Sequence, residues 1–157
     1  MDRSETEAEI FGSLFVLGQH LTRHTEAALV PFGVTSRQWL LLAVLTRAFP
    51  GQRPTLSQTA AVFGTSRQNV KKIAGQVAAR GLVELLPDPS DGRTVRLAVT
   101  DKVSAVFDTT EAVAQQRAFL GAVFADLTDC EVATLFGLVS RCIDTLQRTD
   151  ATGEVPA

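Results

Sequence analysis

Residues 65–72 read Thr-Ser-Arg-Gln-Asn-Val-Lys-Lys, and their side chains suit contact with nucleic acid. Gln68 and Asn69 each carry a donor beside an acceptor, the pattern that pairs bidentately with an adenine edge in the major groove. Lys71 and Lys72 are point charges suited to phosphates. Thr65 and Ser66 stand at the start of a helical stretch, where exposed amides and the helix dipole favour a phosphate. Further on, the polar run Asp88-Pro89-Ser90-Asp91-Gly92-Arg93 ends on an arginine. A guanidinium at a hairpin tip can enter a minor groove, whose negative potential attracts it. Asp88 or Asp91 is expected to pair with Arg93 or Arg96 and orient it. Thr55, Arg67 and Arg96 complete the candidate DNA contacts.

Those side chains need elements to hold them, and the pattern supplies a compact set. Four Thr-x-x-Gln/Glu boxes mark helix starts: Thr35 with Gln38, Thr55 with Gln58, Thr65 with Gln68, and Thr128 with Glu131. In each, the hydroxyl can accept the N3 amide while the longer side chain reaches back. A short helix is expected over Thr55–Phe63, a turn at Gly64, and a second helix over Ser66–Arg80. In that second helix Val70, Ile73, Ala74 and Val77 recur at i, i+3, i+4 and i+7 and face a core. Gln68 and Lys72 point away, flanked by Asn69 and Gln76 on one side and Lys71 on the other. Strands are expected at Leu82–Leu86 and Thr94–Thr100, with Gly92 supplying a positive φ to the turn between them. Val95, Leu97 and Val99 alternate with wetter positions. Helix, turn, helix and two-stranded wing form a reader for double-stranded DNA.

The flanking sequence is helical and strongly apolar. Helices are expected over Glu5–Leu29, Ser36–Ala48, Lys102–Leu127 and Asp129–Gln147, with a frayed tail from Thr149. Ile10, Leu14, Leu17 and Leu21 form one stripe of the first helix, and Phe11, Phe15 and Val16 widen it until the helix needs cover on more than one side. The two long C-terminal helices carry similar stripes, with Val103, Val106, Phe107, Val113, Leu120, Val123, Phe124 and Leu127 inward on the first and Val132, Leu135, Phe136, Val139, Ile143 and Leu146 on the second. This is more apolar surface than one winged unit can cover, and a two-fold homodimer is the economical way to bury it; a monomeric bundle is the alternative.

With its apolar content of 45%, the chain can bury a real core. No apolar run approaches the roughly 20 residues of a membrane span. The first ten residues lack a basic region, so no signal peptide is expected. Two cysteines, without metal-like spacing or a disulfide framework, suit a cytoplasmic protein. Net charge is −2, but its distribution is uneven. Residues 53–102 hold eight Lys and Arg against four Asp and Glu, a net +4, and the remainder carries −6. The positive charge sits in the segment that resembles a reader.

At this point the chain resembles the MarR-type winged helix-turn-helix transcriptional regulators. Phe32-Gly33-Val34-Thr35 with Gln38 and Trp39 looks like the family's lead-in to its second helix. Residues 56–83 look like its helix-turn-helix, ending in Arg80-Gly81-Leu82-Val83. Asp88 to Arg93, followed by Val95, Leu97 and Val99-Thr100, looks like its wing. Ser90 departs from the pattern, since a basic residue is frequent there. The resemblance implies a mainly α fold with a small β-wing, forming a single domain over 1–157. The winged region would be about 35–101, and residues 5–30 and 102–147 would be dimerisation helices. It further implies a homodimer on a pseudo-palindromic operator, usually as a repressor, and in many members release by a small aromatic or phenolic effector.

Other residues carry weaker chemistry. His20 and His24, at i, i+4, could share a metal, but no carboxylate or thiol lies near them in sequence, and no metal or other cofactor is expected. With Trp39 they are candidates for lining an effector pocket. Cys130 lies in the first turn of a helix, which lowers a thiol pKa, while Asp129 and Glu131 oppose that. Cys142 is expected to be buried. No phosphate loop, triad or paired carboxylate suggests an enzyme. Two alternatives stay open: a winged protein-interaction module without DNA binding, and a redox- or metal-switched regulator.

Overall fold

A computed structural model of the chain describes residues 2–153. Helix α1 spans Arg3–Leu29 and is opened by Asp2, whose carboxylate accepts the Glu5 N–H while Glu5 accepts the Asp2 N–H. This Asp-x-x-Glu box starts the helix two residues before the expected Glu5. A 3-10 turn, Val30–Phe32, leads to helix α2, Ser36–Ala48, and then to α3, Leu56–Phe63, and α4, Arg67–Ala78. The wing is strand β1, Val83–Pro87, antiparallel to β2, Val95–Val99, with Val83 opposite Val99 and Pro87 opposite Val95. Helices α5, Asp101–Phe107, α6, Thr110–Val123, and α7, Asp129–Thr152, complete the described chain. The result is a mainly helical fold with a two-stranded wing, as the sequence predicts.

Three of the four expected boxes form, at Thr35, Thr55 and Thr128. The fourth is displaced by one residue. Ser66, not Thr65, caps α4 by accepting the Asn69 N–H at 3.2 Å, and Thr65 instead receives the Asn69 side-chain amide at 2.9 Å. At its other end α4 stops at Ala78, short of Arg80, because Gly81 takes a left-handed φ of 72° and Leu82 donates back to the Val77 carbonyl at 3.1 Å. That closure satisfies a terminal carbonyl and turns Leu82 into the core.

The expected long helix over Lys102–Leu127 is two helices. Asp108 and Thr109 interrupt it, and the Thr109 hydroxyl accepts the Ala112 N–H at 3.1 Å to begin α6 afresh. The last helix runs past the expected Gln147 and Thr149 to Thr152, where Gly153 ends it; the remainder of the tail lies outside the described residues.

One core serves the wing and helices α2 to α4. Leu41, Leu42 and Leu45 of α2, Leu56 and Ala60 of α3, and Val70, Ile73, Ala74 and Val77 of α4 pack with Val83, Leu97 and Val103. Phe32 stacks on Phe107 with ring centroids 5.2 Å apart, joining the 3-10 turn to α5. Beyond Leu29, α1 adds no residue to that core, nor do α6 and α7, although the end of α1 packs on α2 and α7 touches α3. Ile10, Phe11, Leu14, Phe15, Val16 and Leu17 are exposed on α1, so the cover expected for this helix does not come from the described residues of its own chain. Leu120, Phe124 and Leu127, expected to face inward, are exposed too, as are Leu135, Phe136, Val139, Ile143 and Leu146 of α7. Cys142, expected to be buried, shares that open face, and Cys130 is also exposed. No single helix among the described residues is long and apolar enough to cross a membrane.

Candidate nucleic-acid interface

Helix α4 presents its polar side to solvent because its other side is fully used. Val70, Ala74 and Val77 have no exposure at all, which fixes the rotation of the helix about its axis. Arg67, Gln68, Lys71 and Lys72 are therefore exposed, with Asn69 half-buried beside Thr65. Val70 anchors one turn below this surface and the cap at Ser66 orients its N-terminus. The arrangement brings the expected cations and amides onto one convex face, of a size that a major groove about 12 Å wide admits.

The wing tip owes its shape to two carboxylates. Asp88 Oδ1 accepts the Ser90 hydroxyl at 2.6 Å, the Ser90 N–H at 2.8 Å and the Asp91 N–H at 3.2 Å, and Arg96 Nε donates to its other oxygen. Asp91 accepts the Arg93 N–H at 3.0 Å and the Thr94 hydroxyl at 2.7 Å. These side-chain bonds fold the loop, and Gly92 is absent from the positive-φ glycines, so the expected glycine-driven turn is not the device used. The donors hold both carboxyls below their ordinary range: Asp88 mainly through the Ser90 hydroxyl, then the Ser90 N–H and Arg96; Asp91 mainly through Thr94, then the Arg93 N–H. Ser90, the position that departs from the family pattern, is thus a structural partner of Asp88.

The two wing arginines part company. Arg96 pairs with Asp88 and donates through Nη1 to the Arg53 carbonyl at 2.8 Å, so its guanidinium braces the wing against the segment before α3. It is Arg96, not Arg93, that takes the expected carboxylate partner. Arg93 is exposed at the tip, with only its backbone N–H engaged among the described residues. Thr55 caps α3 and bridges to Arg96 through the backbone, at the same junction. Arg53, whose carbonyl completes the brace, was visible in sequence only as one of the segment's cations.

The candidate effector residues are not drawn together in one hollow. His20 lines a shallow depression along α1 with Glu9, Gly12, Ser13, Val16 and Leu17, which includes neither His24 nor Trp39. Trp39 packs on the core from α2. No cluster of three or more His, Cys, Asp or Glu residues with metal-binding geometry occurs among the described residues.

Comparison with known proteins agrees with this architecture. A profile of the MarR family matches residues 32–94, which run from the 3-10 turn to the wing tip. The transcriptional activatory protein BadR of Rhodopseudomonas palustris is 26% identical over 157 residues, covering 99% of this chain and 89% of BadR. An uncharacterised protein of Mycobacterium tuberculosis is 30% identical over 115 residues, 66% of this chain and 77% of its own length. Among solved structures, an Escherichia coli MarR variant in complex with operator DNA superposes with a TM-score of 0.71 at 20% identity, over 90% of this chain and 99% of that one. CouR of Rhodococcus jostii, bound to p-coumaroyl-CoA, superposes with a TM-score of 0.72 at 21% identity, over 85% and 91% of the two chains. The chain belongs to the MarR family of transcriptional regulators.

Proposed function

We propose that the chain is a sequence-specific regulator that binds double-stranded DNA as a homodimer on a pseudo-palindromic operator, in the cytoplasm. The observation that carries this reading is the pairing of one exposed amide-and-cation face on α4 with an unengaged Arg93 at a braced wing tip, in the segment bearing the net positive charge. The α4 helices of the two subunits enter successive major grooves, about 34 Å apart or a multiple of it. Gln68 and Asn69 meet base edges. Lys71, Lys72, Arg67 and the Thr65-Ser66 helix start meet phosphates, and Arg93 enters the flanking minor groove. Thr55 and Arg96 act by holding the wing. The chain works as one domain, with residues 35–101 as the reader, and residues 5–30 and 102–147 pair two copies through their exposed apolar faces.

Repression, relieved by a small aromatic or phenolic effector, is the mode we infer, and the p-coumaroyl-CoA bound by CouR is in keeping with it. Activation is the second reading, favoured by the name of BadR. His20, His24 and Trp39 remain candidates for the effector site once a second subunit closes over α1.

A salt titration of binding to genomic fragments tests the proposal. The logarithm of the binding constant is expected to fall linearly with the logarithm of salt concentration, with a slope of roughly −0.9 per neutralised phosphate. A winged module that has lost DNA binding would give little binding at any salt.

A further inference from the structure

Asn69, Lys72 and Gln76 follow one another at i, i+3 and i+7 and so form a single stripe along α4, with Thr65 bonded to its first member. Gln76 is exposed at the C-terminal end of that stripe. Its side chain is not free to turn. Gln38, at the start of α2, accepts the Thr35 backbone N–H through Oε1 at 3.1 Å and donates from Nε2 to Gln76 Oε1 at 3.2 Å. A backbone N–H can only donate, so the Gln38 amide must turn its oxygen to Thr35 and its nitrogen outward. Gln76 must then give Gln38 its own oxygen, which leaves the Gln76 NH2 facing solvent with no protein partner among the described residues. Asn69 has no such constraint, because the hydroxyl of Thr65 can donate as well as accept.

We propose that Gln76 is a further base-reading residue whose polarity is set by Gln38, so that it offers donors only and selects guanine. This rests on the DNA-binding reading given above. Guanine presents two acceptors, O6 and N7, in the major groove and can take both amide hydrogens, whereas thymine offers one acceptor, O4, beside a methyl group, adenine needs an acceptor beside a donor, and cytosine needs an acceptor alone. Seven residues separate Asn69 from Gln76, a rise of about 10 Å, or about three base pairs. Gln76 therefore reads a position well separated from that of Asn69 in each half-site. Gln38 touches no base and acts as a positioning residue.

Two substitutions reverse the polarity by different routes. Gln38→Glu keeps the box with Thr35, since glutamate serves there equally well, but its carboxylate can only accept, so Gln76 must turn its oxygen outward. Gln76→Glu keeps the bond from Gln38 and puts an acceptor outward directly. Selection of bound DNA from a random pool is run with the wild type, both variants and Gln76→Ala, with helix content and thermal melting as fold checks. The wild type is expected to enrich guanine at one position of each half-site, about three base pairs from the position read by Asn69. Either glutamate variant is expected to enrich cytosine or adenine there, and Gln76→Ala to lose preference at that position alone. If Gln76→Ala keeps the wild-type profile, or if the folded glutamate variants do, the Gln38–Gln76 bond is merely structural and the proposal is overturned. A wild type that enriches no sequence at all would overturn the DNA-binding reading itself, an outcome distinguishable from failure of Gln76 alone.

Discussion

At the residue scale, side chains divide into those proposed to meet DNA and those that hold a neighbour in place. Gln68 and Asn69 project from a helix whose rotation is locked by Val70, Ala74 and Val77. Their replacement by alanine is expected to relax base preference by about 1 to 3 kcal/mol at the positions they read, measured by competition between operator variants. A uniform loss across all sequences would make them positioning residues. Asp88 and Asp91 belong to the second group. Their folded-state pKa values lie below the ordinary carboxylate value of about 3.9, so the stability they lend the hairpin is fully present above that pH. It is lost as pH falls through the depressed values. Acid titration followed at the Ser90 amide is expected to show the loop loosening only well below the ordinary carboxylate value of about 3.9, and Asp88→Asn to loosen it at neutral pH. A Ser90 signal unchanged by that substitution would remove Asp88 from its organising role.

At the scale of elements, what the sequence made legible was local chemistry. Thr35, Thr55 and Thr128 capped helices as their boxes predict, and the run Val95, Leu97, Val99 identified a strand at β2, although only Leu97 is buried and Val99, expected on the same covered face, is exposed. Two adjacent hydroxyls defeated the same logic at α4, because Thr65 and Ser66 both suit a cap and only the packing of Val70 and Ile73 decides between them. The break at Asp108-Thr109 was hidden because apolar residues continue in step on either side of it. The Asp88–Arg96 pair was among the pairings the sequence offered, but the second half of the brace was illegible, since Arg96 meets the Arg53 carbonyl only once β1 and β2 pair. Gly81 shows how strongly a turn sets an element's end. The nearest atom to a Cβ placed there is Lys102 Cδ at 3.7 Å, so alanine would fit sterically, but its φ of 72° is strained for any side chain. Gly81→Ala is therefore expected to cost about 1 to 2 kcal/mol, seen as a lower midpoint in urea with an unchanged slope. No shift in midpoint would mean that the turn relaxes freely and does not fix α4.

At the scale of the molecule, the distribution of apolar surface is the dominant fact. The winged unit closes its own core, whereas α1 and α7 leave large side chains in solvent, with Phe136 75% and Phe11 65% exposed. A surface of that kind marks an interaction site, and in the proposed homodimer the pairing of two copies would hide it while placing two readers on one duplex. Phe136→Glu would bury a carboxylate in that seam, and sedimentation is expected to show a shift from dimer to monomer with weakened operator binding. A variant that stays dimeric would move the interface elsewhere on the molecule.

The central claim, that two α4 helices and two Arg93 tips read one operator together, is tested most directly by footprinting the wild type and Arg93→Ala on a selected site. The expected wild-type result is guanine N7 protection in two major grooves centred about one helical turn, or a multiple of it, apart, with backbone protection across the flanking minor grooves. Arg93→Ala is expected to stay folded and dimeric, to bind more weakly, and to lose the flanking protection while keeping the central pair. A single continuous footprint without that spacing, or flanking protection and affinity unchanged by Arg93→Ala at physiological salt, would contradict it.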